Sequence, residues 1–112
     1  MGITVTNGKT SGFHGANKIY IGRNNPKYRL YGGNQLANPY KIGKDGTREE
    51  CIAKYKEWLW QCIKAENQII LKTLEMIKQR AETEDIELVC WCKPLACHGD
   101  ILKSCLEWMM TQ

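Results

Sequence analysis

The chain is 112 residues long, 43% hydrophobic and 25% charged, with a formal net charge of +4. That length allows one domain with a core several side chains thick and excludes two independent folds, so residues 1–112 read as a single domain. The balance excludes a disordered chain, no run approaches the roughly 18 apolar residues of a membrane-spanning helix, and the basic residues are too scattered to single out DNA or RNA on charge alone.

The N-terminal MGITVTNGK lacks the charged-then-apolar order of a secretory signal, which makes the cytosol the expected compartment. ITVT at residues 3–6 alternates Ile3 and Val5 with threonines and predicts a short strand ending at the Asn7-Gly8 turn signal. Gly8-Lys9-Thr10 has the end of a phosphate-binding loop without its start, since Gly2 lies one residue too far upstream for the required spacing. The polar stretch KTSGFHGAN is expected to be a loop with His14 exposed in it. KIYIGR follows as a second strand, with Ile19 and Ile21 on one face.

Residues 24–46 carry the turn clusters NNP, YGGN and ANP among tyrosines and predict a long loop. A connection of that length is a candidate for ligand contact, or else a surface loop pinned by its tyrosines. Thr47-Arg48-Glu49-Glu50 has the form of a capping box and predicts a helix start. Cys51, Ile52, Tyr55, Leu59, Cys62 and Ile63 then keep the helical period, with Trp58 and Trp60 widening the apolar arc. Ile69, Ile70, Leu74 and Ile77 predict a second helix, or a bend near Ala65. IELVCWC predicts a strand buried on both faces. From about Asp100 to Met110 a last helix is expected to bury Ile101, Leu102, Cys105, Trp108 and Met109. The order β, β, loop, α, α, β, α implies an α/β fold: a short central sheet flanked by about three helices in Rossmann-like layers.

CWCKPLACHGD, residues 90–100, lies between that strand and the last helix. In open α/β sheets ligands sit at the carboxyl ends of the strands, and a helix start favours anions and lowers a thiol pKa. Three readings stay open for it. Cys90, Cys92, Cys97 and His98 are the ligands if a zinc ion is held, although C-x-C-x4-C-H is poor knuckle spacing. A reactive or ligand-contacting thiol at Cys97 or Cys92, aided by His98, is the second reading, with Cys97 and His98 as the catalytic candidates. The third is structural: buried cysteines, Pro94 shaping the loop, and His98 or Asp100 capping the helix. Cys51, Cys62 and Cys105, inside helical patterns, read as packing residues, and all six cysteines should stay reduced in the cytosol.

YIGR at residues 20–23, NPYKIG at residues 38–43, TREE with Tyr55 and Trp58, and CWCKPLACHGDIL at residues 90–102 together resemble the phage and bacterial domain of unknown function 4326 family. The resemblance runs over nearly the whole chain from Tyr20. Family members typically show Gly-Asn-Pro-Phe where this chain has Ala37-Asn38-Pro39-Tyr40, and a shorter stretch before it. The resemblance implies emphasis on Arg23, Asn38, Pro39, Arg48, Cys92, Pro94, Cys97, His98 and Asp100, mostly polar positions at strand ends and helix starts. The expected function is to bind a nucleotide or other phosphate-bearing small ligand at the strand ends, sequestering or modifying it. Arg23, Asn38, Pro39, Tyr40, Arg48, Cys92, Cys97, His98 and Asp100 are the expected contacts, and no cofactor is expected. A zinc-stabilised nucleic-acid-binding or protein-interaction module is the alternative, and association of two copies is compatible with either.

Overall fold

The computed structural model describes residues 2–30 and 35–112. The YGGN cluster of the expected long loop lies outside the described residues. β1 (Ile3–Asn7), β2 (Lys18–Tyr20) and β3 (Ile86–Cys90) form one parallel sheet in the order β1-β3-β2. Val5 and Ile19 both stand opposite Leu88, so the carboxyl ends of all three strands reach the same edge. The central position of β3 follows from its composition: Ile86, Leu88, Val89 and Cys90 are buried, as a strand covered on both faces requires. Its one charged residue, Glu87, pairs with Lys18 at 3.1 Å on the neighbouring strand.

The segment after β1 differs from the expected loop. Asn7 accepts from the Lys9 amide at 2.9 Å and caps a single helical turn, α1 (Gly8–Ser11). Asn7 therefore ends the strand as a helix cap, since its side-chain oxygen competes well for a free amide. Within the expected loop a 3-10 turn at Pro26–Tyr28 is closed by the Asn25 and Leu30 backbones.

The capping box at Thr47 and Glu50 is present and starts α2 (Arg48–Lys64). The break at residues 65–67 is a true interruption: Asn67 caps a separate helix, α3 (Gln68–Ala81). α4 (His98–Met110) begins two residues before the expected Asp100, with Cys97 as its N-cap. α4 lies on β1 and β3, and α2 and α3 pack against it. The expected α/β domain with a small central sheet is thus present, with four α-helices among the described residues where about three are expected.

Three apolar residues depart from their expected burial. Ile69 is 64% exposed, Trp60 50% and Trp108 52%. The buried stripe of α4 is centred on Leu102 and Leu106; Trp108 lies six residues past Leu102, about 240° round the helix, and so turns away from the sheet. No helix of the described residues is long and apolar enough to cross a membrane.

Candidate functional site

The carboxyl edge of the sheet opens into a cleft of about 430 Å³. Its floor holds Cys90 from the end of β3 with Cys97 and His98 from the start of α4, while Arg48 stands on the first turn of α2. Arg23 enters from the segment after β2, and Asn38 and Tyr40 from the long connection. Of the nine expected ligand contacts, seven line this cleft: Arg23, Asn38, Tyr40, Arg48, Cys92, Cys97 and His98. Pro39 is exposed outside the lining, and Asp100 stands behind it as part of the helix cap.

Each arginine is held by backbone carbonyls. Arg23 Nη2 donates to Asn38 O at 2.6 Å and Tyr40 O at 3.3 Å, fixing the turn that carries Tyr40. Arg48 Nη1 donates to Ala96 O at 3.0 Å and so holds the loop between β3 and α4. A guanidinium has five N–H donors, so these contacts orient the planes without exhausting them. The Asn38 side chain accepts from the Tyr40 amide at 2.9 Å and reaches the Cys51 carbonyl at 3.4 Å, tying the turn to α2.

The thiols form a cluster. Cys97 Sγ lies 3.4 Å from Cys90 Sγ, and Cys92 lines the cleft with them. The neighbouring thiols of Cys90 and Cys92, and then burial, push the Cys97 pKa up. The bond from Cys97, aided by the amides of Cys92 and Lys93 and opposed by burial, brings Cys90 down to about 6. Cys92 also comes down to about 6, through the neighbouring Cys97 thiol first and then, against burial, through the nearby Arg48 guanidinium. Cys90 and Cys97 are only 1% and 2% exposed, whereas Cys92 is half-buried and faces the cleft.

Both catalytic candidates have structural tasks here. His98 is buried, and its Nε2–H donates to the Ile21 carbonyl at 2.7 Å. Burial lowers its pKa, helped by the nearby Arg23 charge and only partly offset by the Ile21 bond. Cys97 accepts from the Gly99 amide at 3.3 Å, and its own amide donates to Asp100 Oδ2 at 3.1 Å. The amides of Cys97 and Gly99, together with that of Asp100, which donates to Cys97 O, are thus engaged within the cap. The positive groups offered to the cleft are the arginines rather than the helix start. Asp100 also takes Lys93 Nζ at 2.6 Å; burial raises its pKa, but Lys93 and the Cys97 amide outweigh that and hold it low. His98 directs Nε2 to Ile21, and among the described residues no group of three or more His, Cys, Asp or Glu is arranged to hold a metal ion.

Sequence reasoning missed several residues that build the site. Tyr20 Oη accepts from Trp91 Nε1 at 2.8 Å and donates to the Arg23 carbonyl at 2.6 Å, joining two cleft walls. Asn7 Nδ2 donates to the carbonyls of Trp91 at 3.1 Å and Lys93 at 2.8 Å, supporting the cysteine loop from β1. Only the position of Tyr20 beside Arg23, at a strand end, offered a signal for the first, and nothing local pointed to the second. His14 is exposed as expected, with Nε2 3.2 Å from the Tyr28 carbonyl.

A family model described as a domain of unknown function (DUF4326) matches residues 5–108. No curated protein and no solved structure matches the chain.

Proposed function

The chain belongs to the DUF4326 family, whose description names no activity, and on the geometry of its own residues we propose that it binds a nucleotide or another phosphate-bearing small ligand in the cleft at the strand ends. One observation carries this reading: among the described residues Arg23, Lys41 and Arg48 line the cleft and no Asp or Glu does. In a concave site that focuses the field of its walls, such a lining favours anions, and guanidinium groups match the paired oxygens of a phosphate. Tyr20, Tyr40 and Trp91 add aromatic surface suited to a base or sugar, and the volume falls within the range of small-ligand pockets, about 300–1,000 Å³. A cytosolic setting is part of this reading, and there thiol buffers would keep the six cysteines reduced. Binding alone needs no nucleophile, and sequestration is as compatible with the cleft as turnover.

A thermal-shift screen with ADP, cyclic AMP, ADP-ribose and inorganic phosphate at low salt tests the reading. A ligand present at one hundred times its Kd adds about 2.7 kcal/mol to apparent stability, which such a screen resolves easily. The expected result is a rise in Tm with at least one nucleotide that weakens with added salt and is lost in Arg23→Ala and Arg48→Ala. No rise with any of these compounds would overturn the proposal.

A further inference from the structure

Two sulfurs meet on the floor of the cleft: Cys97 Sγ lies 3.4 Å from Cys90 Sγ, and both residues line the cavity. They come from the two ends of one loop, Cys90 as the last residue of β3 and Cys97 as the N-cap of α4. Each end is fixed on its own. Cys90 stands in the sheet opposite Asn7, whose side chain also holds the Trp91 and Lys93 carbonyls, while the Cys97 amide donates to Asp100. Arg48 holds the Ala96 carbonyl between them. Two thiols kept in contact by their backbones need little further ordering to be joined, so once one is activated the other attacks it at a high effective concentration. Cys92 also lines the cleft, but the close sulfur contact is the one between Cys90 and Cys97. Because these two residues are otherwise buried, a reagent reaches them through the cleft, whose charged lining among the described residues is Arg23, Lys41 and Arg48. That lining favours an anionic reagent.

We propose that Cys90 and Cys97 are a dithiol–disulfide couple that exchanges with an anionic low-molecular-weight disulfide of the glutathione class. The Cys90 thiolate attacks one sulfur of the reagent; a new S–S bond forms to Cys90, the reagent's own S–S bond breaks, and one half leaves as a thiolate that takes the Cys97 proton. Cys97 then attacks the Cys90 sulfur, closing the bridge and expelling the second half, which takes a proton from water. The two protein thiols lose two electrons and the reagent gains them. Cys90 suits the first attack, since the bond from Cys97 brings its pKa down to about 6 against the effect of burial. Closure draws Cys97 Sγ away from the Gly99 amide, so the state of the pair is felt where α4 meets the sheet. In a reducing cytosol the bridge is transient, reopened by the reduced thiol in two exchange steps. The couple requires no phosphate ligand.

The full chain treated with oxidised glutathione at neutral pH, alkylated and cut with chymotrypsin tests the proposal, because cleavage after Trp91 and Leu95 places Cys90, Cys92 and Cys97 on three separate peptides. Two of the six thiols should be lost, with Cys90 and Cys97 on one cross-linked pair of peptides, and excess reduced glutathione should restore both. The rate should fall as salt is added, since the cations of the lining are then screened. Cys92→Ser should form the same bridge at the same rate. In Cys97→Ser a serine oxygen still caps α4, and glutathione should stay on Cys90 as a mixed disulfide. Retention of all six thiols, a bridge that includes Cys92, a disulfide-linked dimer, or a rate indifferent to salt would each overturn the proposal.

Discussion

Tyr55 and His98 meet edge to face, their ring centroids 5.0 Å apart and their planes at 68°, and each commits its polar atom to a carbonyl of a different segment. Tyr55 Oη donates to Leu36 at 2.7 Å, and His98 Nε2 donates to Ile21 at 2.7 Å. The two rings therefore fix the long connection and the end of the second strand to the helices beneath the cleft. Because both groups are buried, neither bond can be exchanged for one to water, which makes each expensive to remove.

Replacing Tyr55 with Phe should keep the ring packing and leave the Leu36 carbonyl without its partner. The expected loss is about 1–3 kcal/mol, read as a lower urea midpoint with an unchanged slope. Amide exchange at residues 35–40 should accelerate while exchange in β3 follows only the global change. A midpoint equal to that of the unaltered chain would show that the bond contributes nothing.

His98 makes stability depend on pH in a defined direction. Burial lowers the imidazole pKa below its ordinary 6.5, so as pH falls through that value the unfolded chain takes up a proton that the folded chain refuses. This contribution is fully present above pH 6.5 and is lost as the pH drops further. In His98→Gln the amide can still donate to Ile21 but cannot be protonated. The difference in unfolding free energy between the two proteins should therefore shrink or reverse between pH 7 and pH 5, as measured by denaturant titration; a constant difference would contradict the assignment.

Gly99 sits where α4 meets the sheet. A Cβ there would come within 2.8 Å of Val5 Cγ1 and 2.9 Å of Ile21 Cδ1. Alanine ordinarily favours a helix over glycine, but here the crowding should dominate and cost about 1–3 kcal/mol, with a lower Tm. A rise in Tm would mean that the helix start can move away from the strands.

Asp100 separates capping from charge. Asp100→Asn keeps an oxygen for the Cys97 amide and loses the ion pair with Lys93, which is partly exposed and contributes little. Asp100→Ala loses both, and should cost about 1 kcal/mol more than the Asn variant in urea unfolding. Equal stability of the two variants would remove the capping role.

Much of this fold can be read locally. The Thr47 and Glu50 capping box, the break after Lys64 and the apolar run of β3 are short-range patterns, and each is where its pattern places it. The start of α4 was less legible because cysteine is an unusual cap; Asp100 was read as the opening of the helix, whereas it reaches back to the Cys97 amide from inside the first turn. Seven of the expected ligand contacts lie together because polar residues at strand ends and helix starts share one edge of an α/β sheet. The bonds that shape that edge, such as Asn7 to Lys93 across 86 positions and Arg48 to Ala96 across 48, depend on the finished fold and leave no periodic trace. Trp60 and Trp108 were misplaced because hydrophobicity marks a helix face without fixing its angle to the core.

The strand order has a consequence for how the chain comes together during synthesis. Among the described residues β1 and β2 both pair with β3 and with no other strand, and Ile3 waits for Ile86. Residues 3–7 therefore leave the ribosome long before their hydrogen-bonding partner exists. Assembly of the sheet is governed by the closure of a very long loop, so a chain stopped before residue 86 has no template for its strands.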